Sequence, residues 1–294
     1  MKTELKSKLK IDTNYRNISK SYKTSDHKFT IYFQTDTLLE YIHPQIAHLE
    51  SKFETKADYW FDFYEENNQI VFFKNNNFIK NYSHTGFHKL QGQFNTEFIC
   101  SLYSKKEHDW LGIFHASTIS NKKESIMLIG KSGSGKSTLT TILTNSGYNL
   151  IADDNTPILR NNLNTYYLPA GISVKPGAFS KIKRIVHNFD NLPQNYLKNH
   201  KGGIKYVPSL EPEVKHVPCN TIVLVNYQPK SKALLEPIDI KTALEILIPD
   251  SWISPKPENA KAFLDWISTV TFYKLTYSNN QDVINIFSTI FDND

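Results

Sequence analysis

Eight consecutive residues, Gly130-Lys131-Ser132-Gly133-Ser134-Gly135-Lys136-Ser137, satisfy the pattern G-x-x-x-x-G-K-[ST] without a gap. The chemistry such a run allows is phosphate binding. Glycines let successive backbone N–H groups turn toward an anion that Cβ atoms would obstruct. Lys136 can neutralise the β- and γ-phosphates, and the Ser137 hydroxyl suits Mg²⁺. Sixteen residues beyond Ser137 stand two adjacent carboxylates, Asp153 and Asp154. Beside a nucleoside triphosphate they suit two tasks: one serves the metal, and the other accepts a proton from an attacking hydroxyl. A loop that only binds nucleotide needs no base, so the pair points toward phosphoryl transfer.

These residues need elements to hold them. Apolar "ESIMLIG" before the loop reads as a strand, and "STLTTILTNSG" after it as a helix closed by Gly147 at its C′ position. "YNLIADD" then returns as a strand beside the first, so the strand ends gather at the edge that carries the loop. Neighbouring strand residues face opposite ways, and both carboxylates reach one site only where the strand ends and the backbone bends. The expected nucleotide site is therefore Gly130, Ser132, Gly133, Ser134, Gly135, Lys136, Ser137 and Thr138, with ATP and Mg²⁺ as cofactors. Asp153 and Lys136 are the expected catalytic groups, and Ser137 and Asp154 the expected metal ligands.

The remainder of the 294-residue chain alternates strand and helix patterns, which implies a layered α/β domain over 108–294. "WLGIFHASTIS", "TYYLPAGISV", "CNTIVLVNY", "ALLEPI" and "FYKLTYS" read as strands. "DIKTALEIL", "PENAKAFLDWIST" and "NQDVINIFSTIF" read as helices. "KPGAFSKIKRI" opens as a helix with Pro176 first, which puts Lys175 beside a helix start where an anion could sit. Residues 188–216 read mostly as loop; Lys198, Lys201, Lys205 and Tyr206 there could clamp an acceptor, with Gly202 and Gly203 as hinges. Residues 27–107 form a smaller α+β module, with "KFTIYF", "DYWFDFY" and "QIVFFK" as strands and a helix broken near Pro44.

Residues 1–26 carry seven Lys or Arg against Glu4, Asp12 and Asp26, a net +4 out of the chain's +5, and read as a solvated basic tail. The rest is nearly neutral, which argues against a nucleic-acid face. No apolar run approaches the ~20 residues of a membrane span, and no secretory leader is evident. Cys100 and Cys219 lack metal-type spacing and read as buried thiols of a cytoplasmic protein. A homo-oligomer is left open.

The run "GKSGSGKSTLTTILTNSGYNLIADD" resembles the catalytic domain of HPr kinase/phosphorylase, with its loop, short helix and strand ending in Ala-Asp-Asp. "FHAS" (114–117) looks like that family's histidine on the strand before the loop, which makes His115 an implied active-site partner of Asp153 or of phosphate. The resemblance extends through "LPAGISVKPGAF" and "LEPIDIKTALEIL" to "FYKLTYS". It implies the phosphoenolpyruvate-carboxykinase-like P-loop fold with an antiparallel part in its sheet. Thr138 stands where the family usually carries Glu, and its later acidic, Asn- and Arg-containing signature is absent. These departures weaken the case for phosphorolysis and for HPr as substrate, and leave ATP-dependent phosphorylation as the implied activity. The resulting expectation is a kinase acting on a serine-type hydroxyl of a peptide or protein. The alternatives are a kinase of a small hydroxylated metabolite such as free serine, and a nucleotide-gated regulatory module. No Ser-Gly-Gly-Gln signature supports an ABC-type ATPase.

Overall fold

In the computed structural model, which describes residues 11–195, 203–208 and 210–292, the chain is a mixed α/β protein with several sheets. The described residues divide into two compact units, 11–105 with 193–195, and 106–192 with 203–292.

The first unit holds a five-stranded sheet in the order β1 (Ile18–Lys23), β2 (Lys28–Phe33), β3 (Tyr59–Glu66), β4 (Gln69–Lys74), β5 (Asn77–Tyr82). All pairs are antiparallel except β2–β3, whose parallel crossover is supplied by α1 (Asp36–Ile46). α2 (Phe87–Leu102) follows β5, and Phe61, Phe63, Phe72, Phe94 and Phe98 form an aromatic core of stacked, tilted and edge-on pairs. Two expectations change here. The tail expected to run to residue 26 includes strand β1, and Arg16 grips buried Asp62 with two hydrogen bonds of 2.6 and 3.1 Å. Only Tyr22 of β1 is fully buried, so the strand reads as polar in sequence. The helix also runs through Pro44 to Ile46, so the proline lies in its last turn rather than breaking it.

The second unit is organised around one long twisted sheet in two halves. In the first half β8 (Ser125–Ile129) lies parallel to β15 (His216–Tyr227), which lies parallel to β18 (Thr271–Tyr277), with β16 (Leu234–Pro237) antiparallel at the edge. β7 (Ser117–Ser120) runs antiparallel to both β8 and β9 (Asn149–Ala152). The returning strand is thus not beside β8 as expected: β7 intervenes, and β9 still ends at the edge where β8 ends. In the second half, β17 (Trp252–Ile253), β6 (Trp110–Phe114), β10 (Thr156–Leu159) and β11 (Asn164–Tyr166) are antiparallel and join the start of β15.

β8 is buried on both faces, as a central strand between helical layers must be. Met127 and Ile129 pack with α5 (Ile240–Leu247) and α6 (Pro257–Ile267). Ile126 and Leu128 pack with α3 (Lys136–Asn145) and α7 (Asn280–Asp292). A smaller pair, β12 (Ile172–Val174) with β14 (Ile204–Val207), encloses its own cluster around Ile182 of the one-turn helix α4 (Phe179–Ile182) and Phe189. The remaining short strand is β13 (Gln194–Asn195).

α6 is tied to β6 by fully buried Asn259. Its Nδ2 donates to the Trp110 carbonyl at 2.8 Å and the His108 carbonyl at 3.1 Å, and its Oδ1 accepts from Arg160 at 3.0 Å. Asn259→Ala should lower unfolding free energy by about 2–4 kcal/mol, because it removes three hydrogen bonds made by a fully buried side chain. A denaturant titration would show a lower midpoint at unchanged slope, and a shift within error would remove this tie from the account.

Candidate active site

β8 ends at Ile129, and from Gly130 the chain turns through Gly133 (φ +87°) and Gly135 (φ +100°) into α3 at Lys136. Two glycines are required by space as well as by angle. A Cβ on Gly130 would lie 2.5 Å from Ser134 Oγ and 3.0 Å from the Val225 carbonyl. One on Gly135 would lie 3.1 Å from both Tyr227 Cβ and Tyr277 Oη. The ends of β15 and β18 therefore brace the loop: Tyr227, ending β15, donates its N–H to the Ser134 carbonyl at 3.0 Å.

The site lies where the chain crosses twice between the two halves of the sheet. The first crossing is His115–Ala116, between β6 and β7; the second is Asp153–Asn155, between β9 and β10. The crossings touch, with His115 Nδ1 3.3 Å from the Asp154 carbonyl. This contact joins the two crossings at the end of β9. Thr156 pins it, its Oγ1 donating to the Ala116 carbonyl at 2.9 Å.

Asp153 is buried and accepts from four donor groups. Ser117 Oγ makes a short contact to Oδ1, Ser137 Oγ is 3.2 Å from both oxygens, and Ser173 supplies its N–H at 2.8 Å and its Oγ at 3.1 Å. Burial, and then the charge of Asp154, push the Asp153 carboxyl well above the usual carboxylate range, against the opposing hydroxyl and N–H donors. Asp154 takes a left-handed backbone (φ +61°), the bend that a carboxylate pair at a strand end requires. Its Oδ2 stands 2.5 Å from Ser173 Oγ, so a single hydroxyl spans both carboxylates.

Lys136 is buried, and its Nζ donates to the Gly130 carbonyl at 2.7 Å across the loop. Burial lowers its proton affinity, while the charges of Asp154 and Asp153 oppose that change. Asp250, before β17, lies within electrostatic reach of the same ammonium, and Ser251 accepts the His115 backbone N–H at 2.9 Å. Lys175 Nζ donates to Ser132 Oγ at 2.7 Å.

The structure places Lys136, Ser137, Asp153 and Asp154 together, with Ser132 to Gly135 forming the turn and Thr138 half-buried in the first turn of α3. His115 meets the backbone of Asp154 rather than a carboxylate. The long substrate loop expected over 188–216 is corrected in part. Lys205 is buried, and its Nζ binds the carbonyls of Phe189 and Asp190, because β14 carries it into the β12 pairing; Tyr206 is buried as well. Lys198, Lys201 and Gly202 lie outside the described residues. The helix expected after Lys175 is one 3₁₀ turn followed by α4, too short to hold an anion by itself. Ser117, Ser173 and Ser251 were missed, since an isolated serine carries no sequence signal.

Among the described residues no three His, Cys, Asp or Glu side chains form a metal-holding group. The available donors are one hydroxyl and carboxylates, which suits a hard cation such as Mg²⁺ that completes its shell with phosphate oxygens and water. No helix among the described residues is long and apolar enough to cross a membrane.

No protein-family model matches the chain. No curated protein matches it. Among solved structures it is similar to the Hpr(Ser) kinase/phosphatase from Coxiella burnetii, at 14% identity over 62% of this chain and 94% of that one, with a TM-score of 0.29. Similarity at that level assigns neither fold nor function.

Proposed function

We propose that the chain is an ATP-dependent phosphotransferase that moves the γ-phosphoryl group to a serine-type hydroxyl of a peptide or protein. One observation carries this reading: a glycine-rich turn with Lys136 and Ser137 faces a carboxylate pair of which one member is buried and raised in proton affinity. A carboxylate pair whose environments differ divides naturally into a base and a partner that serves the metal. We assign the base to Asp153 and the metal-side charge to Asp154. The loop amides and Lys136 bind the β- and γ-phosphates. Asp153 takes the proton of the acceptor hydroxyl as its oxygen bonds to the γ-phosphorus, while the bond to the β–γ bridging oxygen breaks and ADP leaves. Mg²⁺, held by Ser137 and Asp154, would supply neutralisation of phosphate charge. His115, anchored by Ser251, fixes the second crossing through the Asp154 carbonyl and so sets where both carboxylates lie.

The Ser137–Asp153 contact favours a second assignment, in which Asp153 serves the metal and Asp154 is the base. The reading as a whole is tested by calorimetric titration with Mg·ATP and by transfer from radiolabelled ATP to serine-containing peptides and to free serine. Saturable Mg-dependent binding with transfer to a peptide is expected. Transfer to free serine alone would make the acceptor a metabolite, and binding without transfer would make the chain a regulatory module.

A further inference from the structure

β12 has two faces with different duties. Ile172 and Val174 point into the cluster formed with Leu150, Ile182, Phe189 and Val207, which fixes the strand's rotation. Ser173 and Lys175 must then share the opposite side, since strand side chains alternate. Ser173 holds both carboxylates, and Lys175 reaches across the mouth of the glycine-rich turn to the Ser132 hydroxyl. The strand that sets the base thus also delivers a second ammonium to the phosphate site, close enough to Lys136 to depress its proton affinity. Ser132 is a weak partner for it: exposed, neutral, and a single hydroxyl.

We propose that Lys175 is a catalytic residue that binds the γ-phosphoryl group, an inference that rests on the phosphotransferase reading above. In the resting protein its ammonium is parked on Ser132. A γ-phosphate in the turn offers anionic oxygens, which add to the hydrogen bond a Coulomb attraction that the neutral Ser132 hydroxyl lacks. Lys175 then moves to the γ-phosphoryl oxygens while Lys136, buried beneath the loop, stays with the β- and γ-phosphates. As the acceptor oxygen bonds to phosphorus and the bridging oxygen departs with ADP, Lys175 balances the charge on the group in transit, and the acceptor's proton goes to Asp153. Because ADP has no γ-phosphate, Lys175 discriminates the triphosphate from the diphosphate.

That discrimination needs no acceptor to measure. The full chain, its Lys175→Met variant and its Lys175→Arg variant are titrated with Mg·ADP and with a non-hydrolysable Mg·ATP analogue. Lys175→Met should lose roughly tenfold to a hundredfold in affinity for the analogue while ADP affinity changes by no more than about twofold, and Lys175→Arg should recover part of the loss. Retained ADP binding reports that the turn is still folded. Equal losses for both nucleotides would make Lys175 a brace of the loop, and no loss for either would make it a surface lysine; both results overturn the proposal while leaving the phosphotransferase reading intact. Failure of the unaltered chain to bind either nucleotide overturns both.

Discussion

Asp153→Asn should lower phosphoryl transfer by about 10²- to 10⁴-fold while nucleotide affinity stays within a few-fold of the unaltered chain, the loss expected when a general base is removed. The geometry makes this substitution informative rather than merely disruptive. Oδ2 accepts the Ser173 N–H, which cannot reverse, so the asparagine must place its oxygen there and its NH₂ at the Oδ1 position. At Oδ1 the partners are the hydroxyls of Ser117 and Ser137, and hydroxyls can turn from donor to acceptor. The variant therefore folds with the same contacts and lacks only the capacity to take a proton. Asp154→Asn should instead raise the Mg²⁺ concentration needed for half-maximal rate. Exchange of the two phenotypes would assign the base to Asp154 and the metal to Asp153. Full activity in both would leave the pair without a chemical role. With Asp153 as base, the rate of the unaltered chain should also fall as pH drops through the elevated range of that carboxyl, because its protonated form cannot accept the hydroxyl proton.

What the sequence disclosed about this site, and what it did not, follows contact distance along the chain. The turn, α3 and the Asp pair lie within Gly130–Asp154 and are fixed by local signals: a glycine pattern, one amphipathic helix, one short apolar strand. The residues that tune the pair arrive from elsewhere. Ser117 enters because β7 is inserted between β8 and β9, and Ser173 enters because β12 returns over the strand ends. Neither insertion is written in hydrophobic periodicity, which reports whether a strand exists but not its neighbours. Lys205 shows the same limit from the other side. Its loop-like surroundings suggested a free cation, whereas pairing of Val174 with Lys205 buries it and two backbone carbonyls consume its charge. The strand β1 was hidden for a different reason: it presents one buried residue, Tyr22, among lysines and serines. The helices α5, α6 and α7, with strong apolar stripes, and the strands β15 and β18 that they cover were readable directly.

Lys136→Met should reduce transfer by about 10²- to 10³-fold, the scale associated with losing a preorganised group at the site where negative charge develops. It should also weaken Mg·ATP binding. Methionine keeps most of the buried aliphatic volume, so the loop retains its packing while the ammonium disappears. Two consequences then act together. The phosphates lose the cation that is already held in place by the Gly130 carbonyl, and so needs no reorganisation when nucleotide arrives. The carboxylates lose a positive neighbour whose own proton affinity they sustain against burial, so the Asp153 carboxyl, already raised by burial, is raised further. Lys136→Arg should not rescue the enzyme, because a planar guanidinium cannot occupy the narrow position of an ammonium bonded beneath Gly130. The loss should persist at saturating ATP, since it concerns the transition state as well as binding. A Lys136→Met variant that regained full rate at high ATP would reduce Lys136 to a binding residue. One with unchanged affinity and rate would show that the glycine-rich turn does not hold the phosphates at all.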